Sequence, residues 1–174
     1  MKKSDINPMP QYFDRYINLV DDIELDQAFQ KSLTQIHLLD INLIKRVGHK
    51  TYTPNKWTIN EIIQHLIDCE RIFCYRILLF ARQDGSIPPG FDENLLAANS
   101  KANRKDIIDI IDELKTVRQS TISLYNSFDK EDLLKRGINW KHEMSVLAMG
   151  FCMLGHQIHH FNFIKNNYYK LAEK

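Results

Sequence analysis

The 174-residue sequence predicts an all-α fold, a four-helix bundle with one long crossover connection, and three observations carry that prediction. Four stretches place apolar residues at three- and four-residue steps, the period of a helix with one buried face. Only 6 Gly and 5 Pro occur in the whole chain, too few for the many turns of a β-sandwich or barrel. Between the second and third helical stretches lies one long segment, 84–103, that contains Gly85, Pro88, Pro89 and Gly90 and keeps no period.

The chain reads as a single domain, 1–174, behind an irregular leader, 1–12, that contains Pro8 and Pro10. A first helix is expected over 26–46, where Phe29, Leu33, Ile36, Leu39, Leu43 and Val47 follow the helical step. Gly48 and Pro54 interrupt it. Thr58 followed three residues later by Glu61 is a capping box, in which each side chain bonds the other residue's backbone N–H. The second helix is expected from there to about Arg82. Residues 84–103 form the crossover, and loops of that length often carry function. The third helix spans about 105–127, with Ile107, Ile111, Leu114, Thr121 and Tyr125 facing inward. A short extra turn over 129–134 ends at Gly137, and the fourth helix covers about 145–168. Four such helices bury a core large enough to need no disulfide.

Composition narrows the function classes. Lys and Arg number 23 against 22 Asp and Glu, a formal charge of +1, so no broad basic field exists to hold nucleic acid by its phosphates. Lys101, Arg104 and Lys105 are the one internal basic group, and such a group at a helix start is usually solvated. No apolar run is long enough to span a membrane; even the stretch 72–81 is broken by Arg76. Cys69, Cys74 and Cys152 are odd in number and form no C-x-x-C pair, which suggests free thiols in a reducing compartment. With no signal-peptide pattern at Met1, the expected location is the cytoplasm.

Bundles often build metal sites from side chains on facing helices, so polar residues on apolar stripes are the ones to weigh. In the fourth helix the stripe contains Met149, Cys152, Met153, His156, His160 and Phe163. Histidines four apart share a helical face, about 6 Å apart at Cβ, close enough to hold one cation. The alternative is two hydrogen-bonded core histidines. A third ligand from another helix would be His65, on the flank of the second helix's stripe. His37, His49 and His142 stand in poorer settings. Three neutral imidazoles suit Zn²⁺, Ni²⁺ or Fe²⁺ and leave a coordination position open, the arrangement of catalytic rather than structural sites.

Cys69 is one turn after His65 and Cys152 one turn before His156. Either can be a soft ligand or a reactive thiolate, although small buried cysteines are usually packing residues. Glu70 lies centrally on the apolar face of the second helix, and Arg118 equally centrally on the third. A buried charge without a partner is prohibitively costly, so these two are expected to pair across the bundle as a structural ion pair. The rival role for Glu70 is general base or support beside the metal. Asp68, three residues after His65, can steady an imaginable ligand ring but points outward on the wheel.

The segment from Trp57 to Asp68, the following Glu70-Arg71-Ile72-Phe73, the loop Pro89-Gly90-Phe91-Asp92-Glu93 and the closing Gly155-His156-Gln157-Ile158-His159-His160 together resemble the DinB/YfiT-like superfamily. The likeness runs in order from about Tyr16 to Tyr168. It implies a four-helix bundle with one long crossover and a divalent metal held by His65, His156 and His160. It also implies metal-dependent hydrolases, or transferases and isomerases that use a low-molecular-weight thiol such as bacillithiol, many of them homodimers. Gln64 stands where the bacillithiol-transferase branch has a second histidine, which weakens a claim on that thiol.

The function expected is therefore a metal-dependent enzyme, hydrolase or thiol transferase, acting on a small molecule, with no catalytic side chain assigned. Asp92 or Glu93 is expected at the mouth of the site. The alternative is a non-catalytic metal- or ligand-binding sensor. A homodimer is expected from the likeness and from Phe161, Tyr168 and Tyr169 near the last helix's end.

Overall fold

A computed structural model describes residues 1–173. Eight helices and one small hairpin follow one another: α1 (Asp14–Ile17), α2 (Leu25–His37), α3 (Ile41–Val47), α4 (Ile59–Arg82), α5 (Glu93–Asn99), α6 (Ile107–Tyr125), α7 (Lys130–Leu134), β1 (Arg136–Asn139), β2 (His142–Ser145) and α8 (Val146–Asn167). Helices α2, α4, α6 and α8 form the bundle.

Local chemistry explains most of the helix starts. Thr58 Oγ1 accepts from Glu61 N (3.2 Å) while Thr58 N donates to Glu61 Oε2 (2.8 Å), so the capping box is present. The side chains of Asp106 and Ser145 cap α6 and α8 singly, accepting from Ile108 N and Ala148 N. Each satisfies a backbone N–H that the first helical turn leaves without a partner.

The apolar core is two clusters rather than one. Ile36, Ile59, Ile63, Leu66, Ile110, Leu114 and Ile164 belong to one; Phe29, Phe73, Ile77, Phe80, Tyr125, Leu147 and Phe151 belong to the other. Helices α2 and α8 pass from the second cluster to the first, and α4 and α6 run the opposite way. The second and third bundle helices, α4 and α6, are thus parallel neighbours, and their connection must travel the length of the bundle. That journey brings Phe91 and Glu93 over the space between α4 and α8.

Between the clusters lies a polar layer. Arg118 Nε and Nη2 donate to Glu70 Oε1 (2.8 Å) and Oε2 (2.9 Å), Thr121 Oγ1 donates to Glu70 Oε1 (2.7 Å), and Arg118 Nη1 donates to Ser32 Oγ. Gln157 Nε2 donates to Ser32 O (3.1 Å). All four bundle helices contribute, and the bidentate pair satisfies both charges away from water.

Several sequence expectations need correction. The helix expected over 26–46 breaks at Leu38, because Asp40 accepts from Leu43 N (2.9 Å) and starts α3 afresh. The apolar period persists through the break, so it conceals the turn. The crossover contains α5, capped by Asp92, whose side chain accepts from Asn94 N and Leu95 N. Residues 136–145 pair as an antiparallel hairpin, with Asn139 opposite His142. Gly137 permits it to lie on α4: a Cβ there would fall 2.0 Å from the Phe80 ring. The leader is packed, with Ile6 and Pro10 buried and the Met1 amino group donating to Glu24 Oε2 (2.6 Å). Tyr168 is fully buried and donates to Trp57 O, while Phe161 and Tyr169 are half-buried and pack on the core. No helix among the described residues is long and apolar enough to cross a membrane.

Candidate metal centre

The structure brings His65, His156 and His160 together. His65 Nε2 lies 3.2 Å from His156 Nε2, and His160 Nε2 lies 3.0 Å from the same atom. The antiparallel run of α4 and α8 sets these levels: His65 is two turns into α4, and the pair 156/160 straddles the middle of α8. Nearby aromatic rings hold the imidazoles. Trp57 leans on His65 at 4.9 Å between centroids, and Tyr16 meets His156 edge-on at 5.2 Å.

Burial shapes their protonation. Desolvation pulls His65 down to about 4 and His160 down to about 3, with the neighbouring rings repelling charge on His160 further. His156, also buried, lies well below the ordinary histidine value, first from burial and then from the other rings. All three are neutral at pH 7. A neutral imidazole Nε2 carries either one proton or one lone pair. His156 Nε2 is approached by two nitrogens and cannot bond well to both. One cation accepting three lone pairs removes that conflict. With metal–nitrogen bonds of about 2.0–2.1 Å at angles of 90–110°, ligand nitrogens sit about 2.9–3.4 Å apart, the range seen here.

Cys69 shares the neighbourhood. Its Sγ is 3.6 Å from His65 Nδ1 and 3.7 Å from His65 Nε2, and His65, Cys69 and His156 form a group that could hold a metal. Burial pushes the Cys69 thiol up to about 12, so without a cation it stays protonated. Cys152 is buried beside the same cleft and is likewise pushed up to about 12.

Two other sequence candidates lie away from the imidazoles. Asp68 is half-buried rather than solvated; its Oδ1 accepts from Gln64 Nε2 (3.0 Å), not from a histidine, and burial raises its carboxyl pKa. Glu70 is engaged with Arg118 and Thr121. Of the two crossover acids, Asp92 is spent on capping α5, and Glu93 lines the histidine cleft.

That cleft, about 240 Å³, is walled by Tyr12, Phe13, Arg15, Phe73 and Phe91 besides the residues named. Two more recesses share walls with it, one of about 290 Å³ at Trp57 and His160 and one of about 250 Å³ at Phe73 and Phe91. Sequence reasoning did not reach Tyr12, Tyr16, Trp140 or Arg76 as parts of this region. For Arg76 a signal existed: it is a lone charge in an otherwise apolar run.

A four-helix bundle with a buried histidine cluster facing an open cleft defines a candidate metalloprotein. The model of the DinB superfamily matches residues 11–164, and the chain belongs to that family. Among solved structures the chain is similar to YfiT from Bacillus subtilis, described as a probable metal-dependent hydrolase with an unusual four-helix bundle topology. Sequence identity is 14%, the TM-score is 0.65, and the match covers 94% of this chain and 87% of YfiT. The likeness confirms the bundle topology. No curated protein matches the chain in sequence.

Proposed function

We propose that the protein is a metal-dependent enzyme acting on a small molecule, with His65, His156 and His160 as ligands of one divalent cation and hydrolysis as its reaction. The single observation carrying this reading is the approach of two ring nitrogens, at 3.2 and 3.0 Å, to a third that cannot satisfy both. A cation in that position supplies Lewis acidity, polarising substrate oxygen and making water acidic near neutral pH. The chain's own residues do the rest. Phe73 and Phe91 keep the floor of the cleft apolar, and Tyr16 and Trp57 fix ring orientation. Glu93 is the carboxylate facing the cleft and is positioned to accept a proton. Cys69 is the reserve ligand on the His65 side. Transfer of a low-molecular-weight thiol at the same site is the variant reaction, and homodimerisation and a cytoplasmic location complete the proposal.

The test is elemental analysis of protein purified without chelators, followed by titration and a screen of generic esters and amides. The expected result is about one divalent ion per chain, with affinity falling 100-fold or more in His156→Ala, beyond the 10–100-fold typical of losing a mere supporting residue. Equal metal uptake by wild type and His156→Ala overturns the proposal.

A further inference from the structure

The bundle buries two arginines and treats them differently. Arg118 receives both oxygens of Glu70. Arg76, on α4 three turns beyond His65 and only 3% exposed, receives no carboxylate; no ion pair to it exists among the described residues. Its Nη1 donates to Asn139 Oδ1 and its Nη2 to Pro89 O (2.8 Å), both neutral acceptors, and its buried Nε has no acceptor at all. A guanidinium removed from water in this way calls for a counter-charge.

Arg76 borders the 250 Å³ recess, with Asn139, Phe73, Phe91, Trp140 and Tyr12. The guanidinium carbon lies 5.4 Å from the centre of the Phe91 ring. Tyr12, Phe73 and Phe91 also wall the histidine cleft, so the two spaces are neighbours that share one side. The recess carries a second mark. Tyr12 and Trp140, whose rings are 5.3 Å apart, both have left-handed backbone, φ 70° and 59°. Such conformations in bulky residues cost energy and persist where the surroundings impose them, often at ligand sites. Glu93 is the one acid on the wall, carried on the exposed helix α5.

We propose that this recess is a carboxylate subsite with Arg76 as its counter-ion, and that the molecules handled in the histidine cleft are small organic acids with an apolar body. The second clause rests on the enzymatic reading given above; the subsite itself does not. Arg76 and His65 are eleven residues apart, about 16 Å along the helix axis, and an arginine side chain leans back toward the helix N-terminus. The acid therefore places its carboxylate several carbons from the group presented to the histidines. Planar carboxylate matches the fork of guanidinium N–H donors, and the aromatic wall accepts the chain.

The experiment titrates hexanoate and its neutral analogue hexanamide into the full chain, both metal-loaded and chelated. It follows the ¹⁵N–¹H signals of the Trp140 indole and of Arg76 Nε. Hexanoate is expected to saturate both signals at least about tenfold more tightly than hexanamide, as for a charge-assisted bond. That preference should survive chelation, vanish in Arg76→Gln and strengthen in Glu93→Gln. Equal affinity for acid and amide, a preference present only in metal-loaded protein, or a preference retained by Arg76→Gln overturns the subsite. If Arg76→Gln does not fold, the wild-type comparison of acid with amide decides alone. Acid preference in chelated protein that binds no metal specifically would sink the enzymatic reading and leave the subsite standing.

Discussion

Replacing Gly155 by Ala tests how α1 is seated beside the histidines. A Cβ at this position would lie 1.9 Å from the Tyr16 carbonyl oxygen and 2.4 Å from its carbon. Both obstacles are backbone, so no rotamer change relieves them. Real Cβ atoms essentially never come within 3.0 Å of such a neighbour, so α1 must retreat from α8 by more than 1 Å. Overpacking of this kind costs about 1–3 kcal/mol, and the unyielding backbone argues for the upper end. At about 2–4 °C per kcal/mol for a chain of this size, the melting temperature should fall by about 4–12 °C. Tyr16, whose ring meets His156, should move with α1, while His156 and His160 remain on α8. Calorimetry should therefore show the loss of stability, and metal titration should show affinity changed much less than in His156→Ala. A Gly155→Ala protein that melts as wild type would refute the close approach, and one that loses metal as completely as His156→Ala would refute the assignment of the ligands to α4 and α8 alone.

Three further outcomes are expected. Glu70→Gln leaves Arg118, 1% exposed, without its counter-charge and should cost about 3–5 kcal/mol in denaturant unfolding; metal affinity should stay within a few-fold, and a large loss would instead make Glu70 part of the centre. Thr58→Ala removes the acceptor for Glu61 N and should destabilise by about 0.5–2 kcal/mol in the same assay, with no change if the cap is solvated in solution. Burial pushes Cys74 and Cys152 up to about 11 and about 12, so at pH 8 both are protonated in the fold; they should react with a disulfide reagent far more slowly in native than in unfolded protein, and fast native labelling at either would contradict their burial.

Helices α4, α6 and α8 are legible because their apolar residues keep a helical step over many turns and their caps are local in sequence. The stripe position of His156 and His160 is legible for the same reason. The break at Leu38 is not, since Leu39, Leu43 and Val47 continue the step across it and only the Asp40 cap marks the restart. The seven-residue α5 is too short to show a period within a segment full of Gly and Pro, and the hairpin owes its place to Gly137 yielding to Phe80.

Spacing within one helix is written in the order of residues, because a helix repeats its geometry every few positions, and so the chain alone declares its bundle and the two histidines of α8. Distances between helices are not written there. Whether His65 would arrive 3.2 Å from His156, whether Glu70 would find Arg118 while Arg76 found no acid, and which crossover residue would face the cleft depended on the relative levels of α4, α6 and α8. Those levels are set by how two apolar clusters close on either side of a polar layer, a balance of many small contacts that no single stretch of sequence contains.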